Sequence, residues 1–331
     1  MLLETARKIN EIAEKSMNIT PLSRTDAEFV IGLSDKHLTD LLAATFKVRK
    51  KYKGMTVAIQ ILTNARSGNC TQNCAYCAQS SESGADIDKY HMVAYEKLSG
   101  DGRLADKKRL ARHCIGLSGL RFTDNEIEEF AAAVRSLKGE SDLPVCCSIG
   151  FLTERQALVL KTVGVDRINH NLNTSRRFYP SICTTHTYDE RFVNIRMLQR
   201  LGFEICCGGI IGMGETSNDI LDLLFDLREI NPQAVPVNFL VPLEGTSLFG
   251  SEVSHLTPEY CLRTLCLARL MIPHADIRCA AGREIYLKGR EKEMFHIVDS
   301  IFAAGYLTAA GQTIDDTIEM VKQAGFEYVI E

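Results

Sequence analysis

The strongest constraint on the fold is a repeated pattern of a short apolar run followed by an amphipathic helical segment. Apolar runs of this length indicate strands that are buried on both faces, as in a parallel sheet. Eight such strands with helical crossovers predict an α/β protein with a parallel (β/α)8 barrel of the TIM type, and a doubly wound open sheet is the alternative. In a barrel, functional residues are expected at the carboxyl ends of the strands. The predicted strands are 55–63, 112–118, 143–150, 165–171, 203–211, 234–241, 275–281 and 299–305.

The segments between these strands carry helix signals, namely capping residues before them and glycines after several of them. The predicted helices cover 124–139, 153–164, 188–202, 215–230 and 257–272. The crossover at 96–112 is different, because it contains Ser-Gly-Asp-Gly and two interior glycines cost a helix roughly 2 kcal/mol. A short or broken helix is expected there. Residues 1–50 are predicted to form a helical segment that packs on a single barrel domain spanning 51–331.

Composition excludes several classes of protein. A net charge of −4 over 331 residues gives no indication of nucleic-acid or membrane binding. The first 18 residues lack the apolar core of a secretory signal, so a cytoplasmic location is expected. Twelve cysteines in a chain of this length favour metal or redox chemistry over a disulfide framework.

Three of the cysteines lie within eight residues of each other, in the stretch GNCTQNCAYCAQS at 68–80. Cys70, Cys74 and Cys77 have C-x3-C-x2-C spacing directly after the first predicted strand. A structural zinc would require a fourth ligand, for which His91 is the nearest candidate. Three thiolates instead suit an iron–sulfur cluster with one iron left open. Three unrelated core cysteines are the remaining alternative.

This triplet, placed after the first strand of a βα barrel, resembles the radical S-adenosylmethionine (SAM) superfamily. The resemblance implies a 4Fe–4S cluster whose open iron chelates SAM, and reduction of the cluster then cleaves SAM to a 5′-deoxyadenosyl radical. The aromatic residue before the last cysteine, Tyr76, also fits that family, and its backbone would meet the adenine.

Further stretches resemble, as an ordered set, the biotin synthase family of that superfamily. This resemblance implies insertion of sulfur into dethiobiotin, with the sulfur supplied by an auxiliary iron–sulfur cluster. It also implies a flavodoxin or ferredoxin reductant, iron–sulfur assembly machinery, a homodimer, and a C-terminal biotin/thiamin-synthesis-associated region. The alternatives are another radical SAM barrel enzyme, such as a maturase, and a non-catalytic electron-transfer protein. The matching stretches are 64–80, 169–175, 184–192, 206–216, 236–240, 277–284 and 300–312.

The resemblance places the auxiliary cluster on Cys114, Cys146, Cys206 and Arg278, each on a predicted strand. A buried cysteine on a strand is often only a small hydrophobic residue. Three further cysteines complicate this set, because each of them directly follows one of these ligands in the sequence. They are Cys147, Cys207 and Cys279. Successive strand residues face opposite ways, which makes these three packing residues, unless bulges turn them inward toward a cluster larger than 2Fe–2S. Core packing is predicted for Cys183, Cys261 and Cys266.

Pocket residues follow from alternation and from the resemblance. Alternation in NHNLNTS puts Asn169, Asn171 and Asn173 on one face and His170 on the other. By resemblance, Asn171 and Asn173 bind the SAM ribose, and Asn169 with Asn238 holds the ureido ring; Asn169 and Asn171 are also expected to be catalytic. His186 or Arg191 is expected at the SAM carboxylate. The remaining predicted SAM contacts are Gly208, Gly209, Ile210, Glu215 and Val241.

Overall fold

Strand and helix alternate along residues 2–305, 307 and 311–328, which are the residues that the computed structural model describes. Every predicted strand is present, and the pairings between strands are parallel. Part of the predicted motif 300–312, namely Tyr306 and 308–310, lies outside the described residues. The strands are β1 (Thr56–Arg66), β2 (Arg112–Leu117), β3 (Val145–Ser148), β4 (Val165–Asn169), β5 (Glu204–Cys206), β6 (Gly209–Ile211), β7 (Ala234–Phe239), β8 (Asp276–Cys279), β9 (Ser300–Ala303) and β10 (Glu327–Tyr328).

The sheet closes on itself, since β1 pairs with β2 on one side and with β9 on the other. β5 and β6 occupy one position between β4 and β7 and are separated by Cys207 and Gly208. Eight strand positions therefore form the barrel, and the predicted (β/α)8 architecture is confirmed. The short β10 lies outside the barrel and pairs with the start of β1.

The helices cover the outside of the barrel. Five of the described helices begin with a capping box, in which the capping residue and a residue three positions later exchange side-chain and backbone hydrogen bonds. The capping residues are Ser23, Thr123, Thr153, Thr187 and Thr216. The helices are α1 (Leu2–Met17), α2 (Arg24–Ile31), α3 (Leu38–Lys53), α4 (Tyr95–Lys107), α5 (Asp124–Glu140), α6 (Glu154–Thr162), α7 (Tyr188–Arg200), α8 (Ser217–Ile230), α9 (Pro258–Met271), α10 (Arg283–Tyr286) and α11 (Ile314–Gln323).

The expected break in the crossover after β1 is wrong, because α4 runs without interruption through both of its glycines. Gly102 is buried, and a Cβ at this position would lie 2.5 Å from Leu137 Cδ1 and 3.6 Å from His113 Nδ1. The glycine therefore allows α4 to pack closely on α5 and β2. Asp101 beside it accepts a hydrogen bond from Thr63 Oγ1 at 2.7 Å. These tertiary contacts outweigh the low helix propensity of glycine.

The first three helices pack against α9 on the outside of the barrel. Ser16 Oγ donates to the carbonyl of Leu270 at 2.7 Å, and Arg263 Nε donates to the carbonyl of Ile31 at 3.1 Å. Arg49, fully buried on α3, donates to the backbone carbonyls of Thr56 and Val298. Among the described helices, none is long and apolar enough to cross a membrane.

Candidate active site

The cysteine triplet lies on the loop after β1, at the carboxyl end of the barrel strands. The loop is held in place by Cys70, whose N–H donates to Gln79 O at 3.0 Å and whose carbonyl accepts from Ser81 N at 2.7 Å. Ala75 N donates to Ile182 O at 2.9 Å, which joins the loop to the segment after β4. The three triplet cysteines are half-buried, whereas the other nine cysteines of the chain are buried.

The spacing of the triplet sulfurs fits a cluster better than a single ion. Among the described residues, the triplet does not bring its three sulfurs within 4.8 Å of one another, as single-ion coordination would require. His91, the candidate fourth zinc ligand, is exposed and contacts Glu129 at 3.7 Å. Burial raises the pKa of Cys77 to about 11, so a cationic group is needed to hold this residue as a thiolate. The residues present therefore fit a 4Fe–4S cluster.

The polar side chains that are predicted to line a pocket lie beside the triplet. Asn173 Nδ2 donates to Tyr76 Oη at 2.7 Å, and Arg191 Nη1 donates to the backbone carbonyl of Asn171 at 3.1 Å. Asn171 Oδ1 accepts from Asn169 Nδ2 at 3.2 Å and from Gly208 N at 3.0 Å. The structure thus brings the predicted asparagines together with Tyr76 and Arg191.

His170 faces away from that pocket. It is buried, and its ring lies 5.0 Å from the ring of Phe151.

The break between β5 and β6 is a place of close backbone approach. A Cβ on Gly208 would lie 1.9 Å from Pro236 O, and one on Gly209 would lie 2.8 Å from Asn173 O. Asn173 N donates to Gly208 O at 3.0 Å, and Ile210 N donates to Asn173 O at 2.8 Å. Glycine at these positions lets the loop after β4 lie directly against the strand, which forms one wall of the pocket.

Two of the predicted contact residues have their side chains engaged with backbone. Glu215 accepts from Gly212 N at 2.6 Å and Met213 N at 2.8 Å, which fixes the turn after β6. Asn238 donates to Gly209 O at 3.1 Å and accepts from Ala281 N at 3.1 Å. Val241 is half-buried just after β7.

A second group of cysteines lies inside the barrel. Cys114, Cys146 and Cys206 form a buried cluster with Ala234, and Leu62 and Phe302 pack against it. Cys114 and Cys146 are register partners on neighbouring strands. Burial raises the pKa of Cys206, although Arg278 beside it acts in the opposite direction.

Arg278 reaches these cysteines from β8. Its Nη1 lies 3.7 Å from Cys206 Sγ, and its Nε donates to Ser300 Oγ at 2.8 Å. Within the described structure, its Nη2 and the Nη1 of Arg167 are buried without a hydrogen-bond partner. Buried cationic donors without partners are costly. Together with three soft sulfur ligands, they fit an anionic iron–sulfur group at this place.

The neighbouring cysteines face the other way, so the weaker prediction that they are cluster ligands is wrong. Cys147, Cys207 and Cys279 belong to the main core between barrel and helices, apart from the interior group. Burial raises the pKa of Cys279 to about 12. The irregularity in the β3–β4 pairing falls beside Asp166 on β4 and does not turn Cys147 inward. Regular alternation along the strands explains their orientation.

Cys183 is packed in the core as predicted, but its thiol also has polar neighbours that were not predicted. Its Sγ lies 3.7 Å from Cys74 Sγ and 3.3 Å from His186 Nδ1, although the residue is buried. Sequence reasoning treated it as one more isolated core cysteine. The available signal was its position three residues before His186, in the same polar segment as two predicted SAM contacts.

Comparison with known proteins agrees with this geometry. Residues 65–227 match the model of the radical SAM superfamily, and residues 236–327 match the biotin and thiamin synthesis associated domain. The barrel, the cysteine triplet on its loop and the match to the superfamily model together define a radical SAM enzyme.

Curated relatives identify one family within this superfamily. The biotin synthase of Persephonella marina is 39% identical over 317 residues, covering 96% of this chain and 94% of the relative. The biotin synthase of Geobacillus kaustophilus is 38% identical over 316 residues, with 96% and 94% covered. The chain therefore belongs to the biotin synthase family.

Solved structures share the fold at low identity. Methylornithine synthase superposes with a TM-score of 0.82 at 18% identity, covering 96% of this chain and 97% of that one. The FeFe-hydrogenase maturase HydG from Carboxydothermus hydrogenoformans also gives 0.82, at 16% identity, with 97% and 79% covered. At such identities the similarity concerns the barrel alone.

Proposed function

We propose that this chain is a biotin synthase that inserts sulfur into dethiobiotin, with SAM as the source of radicals. The observation that carries the proposal is the set of contacts made by Asn169, which reaches the interior cysteines directly and the polar residues beside the triplet through Asn171. Its Nδ2 lies 3.2 Å from Cys206 Sγ and 3.2 Å from Asn171 Oδ1. A substrate held at this side chain would have the loop cysteines on one side and the interior cysteines on the other.

Cys70, Cys74 and Cys77 would hold the 4Fe–4S cluster, which when bound and reduced supplies the electron that cleaves SAM. The roles of the surrounding residues follow from their contacts. Tyr76 and Asn173 hold each other, and their pairing forms the edge at which the nucleoside part of SAM is bound. The backbone at Gly208, Gly209 and Ile210, with the turn fixed by Glu215 and the nearby Val241, forms the adenine wall.

The remaining SAM contacts are electrostatic. Asn171 is the proposed ribose contact, and its backbone carbonyl accepts a hydrogen bond from Arg191. Arg191 supplies the positive charge for the SAM carboxylate, and His186 lies within 3.1 Å of the Arg191 Nε. The guanidinium group is therefore oriented before SAM binds.

Neutral amides suit the ureido ring of dethiobiotin, which has both donors and an acceptor. Asn169 offers its amide beside Cys206, and Asn238 is held rigidly between two backbone groups. Rigid amides lose little entropy when a substrate binds.

Cys114, Cys146, Cys206 and Arg278 are the proposed ligands of the auxiliary cluster, the source of the inserted sulfur. The outward orientation of the three adjacent cysteines leaves this set of four. Iron and sulfide analysis of reconstituted protein, compared with a Cys146→Ala variant, would give the composition of the cluster.

Consumption of that cluster calls for iron–sulfur assembly machinery, and radical formation calls for a flavodoxin or ferredoxin reductant. A homodimer in the cytoplasm is the proposed setting, in keeping with twelve free thiols.

The deciding experiment is anaerobic reconstitution followed by incubation with SAM, a reductant and dethiobiotin, with both products measured by mass spectrometry. Biotin together with 5′-deoxyadenosine is expected. 5′-Deoxyadenosine without biotin, from protein with both clusters intact, would favour another radical SAM reaction. Cluster spectra that do not respond to SAM would favour electron transfer instead.

A further inference from the structure

A buried chain of side chains connects the cluster loop to Arg191. Cys183 Sγ lies 3.7 Å from Cys74 Sγ and 3.3 Å from His186 Nδ1. On the other side of the imidazole, Tyr179 Oη lies 2.8 Å from His186 Nε2 and 2.5 Å from Arg191 Nε. Cys183, His186 and Tyr179 are each at most 5% exposed, so water does not compete for these contacts.

The tautomer of His186 follows from its neighbours. Arg191 Nη2 lies 2.8 Å from Nε2, and a guanidinium nitrogen can only donate. Nε2 must therefore accept, which leaves the proton on Nδ1. That N–H faces two acceptors, Gln72 Oε1 at 3.0 Å and Cys183 Sγ.

The same argument decides against a single metal ion here. The ligand atoms of Cys74, Cys183 and His186 lie within 4.8 Å of one another, a spacing that would suit one. Ion binding through Nδ1 would require a proton on Nε2, directed at the Arg191 guanidinium 2.8 Å away. Two donors facing each other at this distance repel, so the trio is better explained by hydrogen bonding.

Binding of the cluster determines which cysteine donates the hydrogen bond between Cys183 and Cys74. In the structure the Cys74 thiol donates to Cys183 Sγ. As a cluster ligand Cys74 is a thiolate and has no proton to give, so the same contact then requires Cys183 to be the donor. With Cys183 as that donor, every donor in the chain points the same way: Arg191 donates to Tyr179, Tyr179 to His186 and His186 to Cys183.

We propose that Cys183 is a positioning residue which donates an S–H···S hydrogen bond to the Cys74 thiolate and thereby raises the reduction potential of the radical-generating cluster. The proposal rests on the triplet holding that cluster and does not depend on the substrate. Hydrogen bonds to the sulfurs are among the features that set iron–sulfur potentials. Arg191, at the far end of the chain, polarises the bonds toward the cluster.

The test is a redox titration of the 4Fe–4S cluster, followed by electron paramagnetic resonance, without SAM or dethiobiotin. In Cys183→Ala the reduced-to-oxidised ratio at a fixed potential is expected to fall about five-fold, the effect of one hydrogen bond. Cys183→Ser keeps a donor and should recover part of that loss. Cys266→Ala removes an equally buried thiol from α9, beside Thr45, and should leave the potential unchanged.

Iron content and near-ultraviolet circular dichroism of each variant separate the explanations. A normal iron content with the potential of the unmodified protein in Cys183→Ala would overturn the proposal. Loss of iron in both Cys183 variants would also overturn it, since Cys183 would then be a ligand. A failed biotin assay with the expected potential shift would contradict the proposed substrate and leave this inference intact.

Discussion

The two cysteine groups of this protein are built in opposite ways. The triplet Cys70, Cys74 and Cys77 comes from one short loop, and its members are half-buried. The interior group of Cys114, Cys146 and Cys206 comes from three strands, and its members are fully enclosed. The triplet is complete once its loop has folded, whereas the interior group is assembled only when the barrel strands have paired.

This difference determines what each group can do. A loop at the mouth leaves one side open for a small molecule, which suits a cluster that must bind SAM. An enclosed group has protein on all sides. Near it, two arginine nitrogens have no hydrogen-bond partner among the described residues, which suits a reagent kept from water until it is used. The predictions below separate the two groups, beginning with the largest expected effect.

Removal of one triplet ligand should abolish both reactions. Cys77→Ala is expected to reduce 5′-deoxyadenosine and biotin to background, because the radical source is lost. The interior group should still load, since no residue of the triplet contributes to it. Mass spectrometry of both products, with Mössbauer spectra of the remaining iron, checks this result. Normal 5′-deoxyadenosine formation would contradict the assignment of the triplet.

Removal of an interior ligand should separate the two reactions. Cys146→Ala is expected to keep SAM cleavage within about two-fold while biotin falls to background, since it loses only the sulfur source. The matched control is Cys147→Ala, whose side chain faces the helices. That variant should keep biotin formation and lose roughly 1 kcal/mol of stability through a small cavity. If both variants lost biotin equally, the inward and outward assignment would be wrong.

The loop after β4 contributes residues to the predicted pocket. Asp219 on α8 holds this loop through hydrogen bonds. Ser175 Oγ donates to this buried carboxylate at 2.6 Å and Arg177 Nε at 2.9 Å. Burial alone would raise the pKa of Asp219, but the hydrogen bonds from Arg177, Ser175 and Thr216 lower it well below its ordinary value of 3.8. The stabilisation is therefore complete above the ordinary value and is lost as the pH falls through the native one.

Asp219→Asn should accordingly lower the free energy of unfolding by about 2 kcal/mol at pH 7, because it removes charge-assisted hydrogen bonds. The difference from the unmodified protein should shrink as the solution is acidified. Denaturant titrations from pH 7 to pH 3 measure this difference. SAM affinity should weaken as well, whereas iron in the interior group should not change. A difference that grows at low pH would refute the assignment.

Substitutions at two glycines of α4 should have the smallest effect. They test how far the interior cysteine group depends on the packing of α4 against the outside of the barrel. Gly102→Ala should destabilise the protein by about 1 kcal/mol, because its Cβ meets Leu137 and the change disturbs β2 beside Cys114. Gly100→Ala has open space around it and should stabilise by about 0.5–1 kcal/mol. Thermal unfolding of the pair checks the signs, and equal shifts would remove the packing explanation.

Sequence reasoning succeeded where a local pattern decides the structure. The apolar runs predicted all eight strand positions, and the spacing of the cysteine triplet indicated the loop on which it lies. It failed at α4, where burial of Gly102 against Leu137 outweighs propensity. It did not predict the interruption between β5 and β6, which depends on backbone passing close to Gly208.

The contacts of Cys183 were missed for a related reason. A single cysteine that matches no ligand position is interpreted as a packing residue, and its neighbour Cys74 is more than a hundred positions away. For the interior group, alternation along the strands sorted inward from outward cysteines. It could not show that guanidinium nitrogens of Arg278 and Arg167, beside these cysteines, would find no hydrogen-bond partner in the part of the chain that the structure describes.

The distribution of thiol burial also provides a gauge of assembly for anyone who handles this protein. Nine cysteines are buried and three, all in the triplet, are half-buried. Native folded chains without the loop cluster should thus take up a maleimide label first at the triplet, in a fast step, and only afterwards at the nine buried thiols, in a slow step limited by unfolding. A loaded chain should show only the slow step. The amplitude of the fast step then reports the fraction of empty molecules in any preparation, independently of colour or turnover.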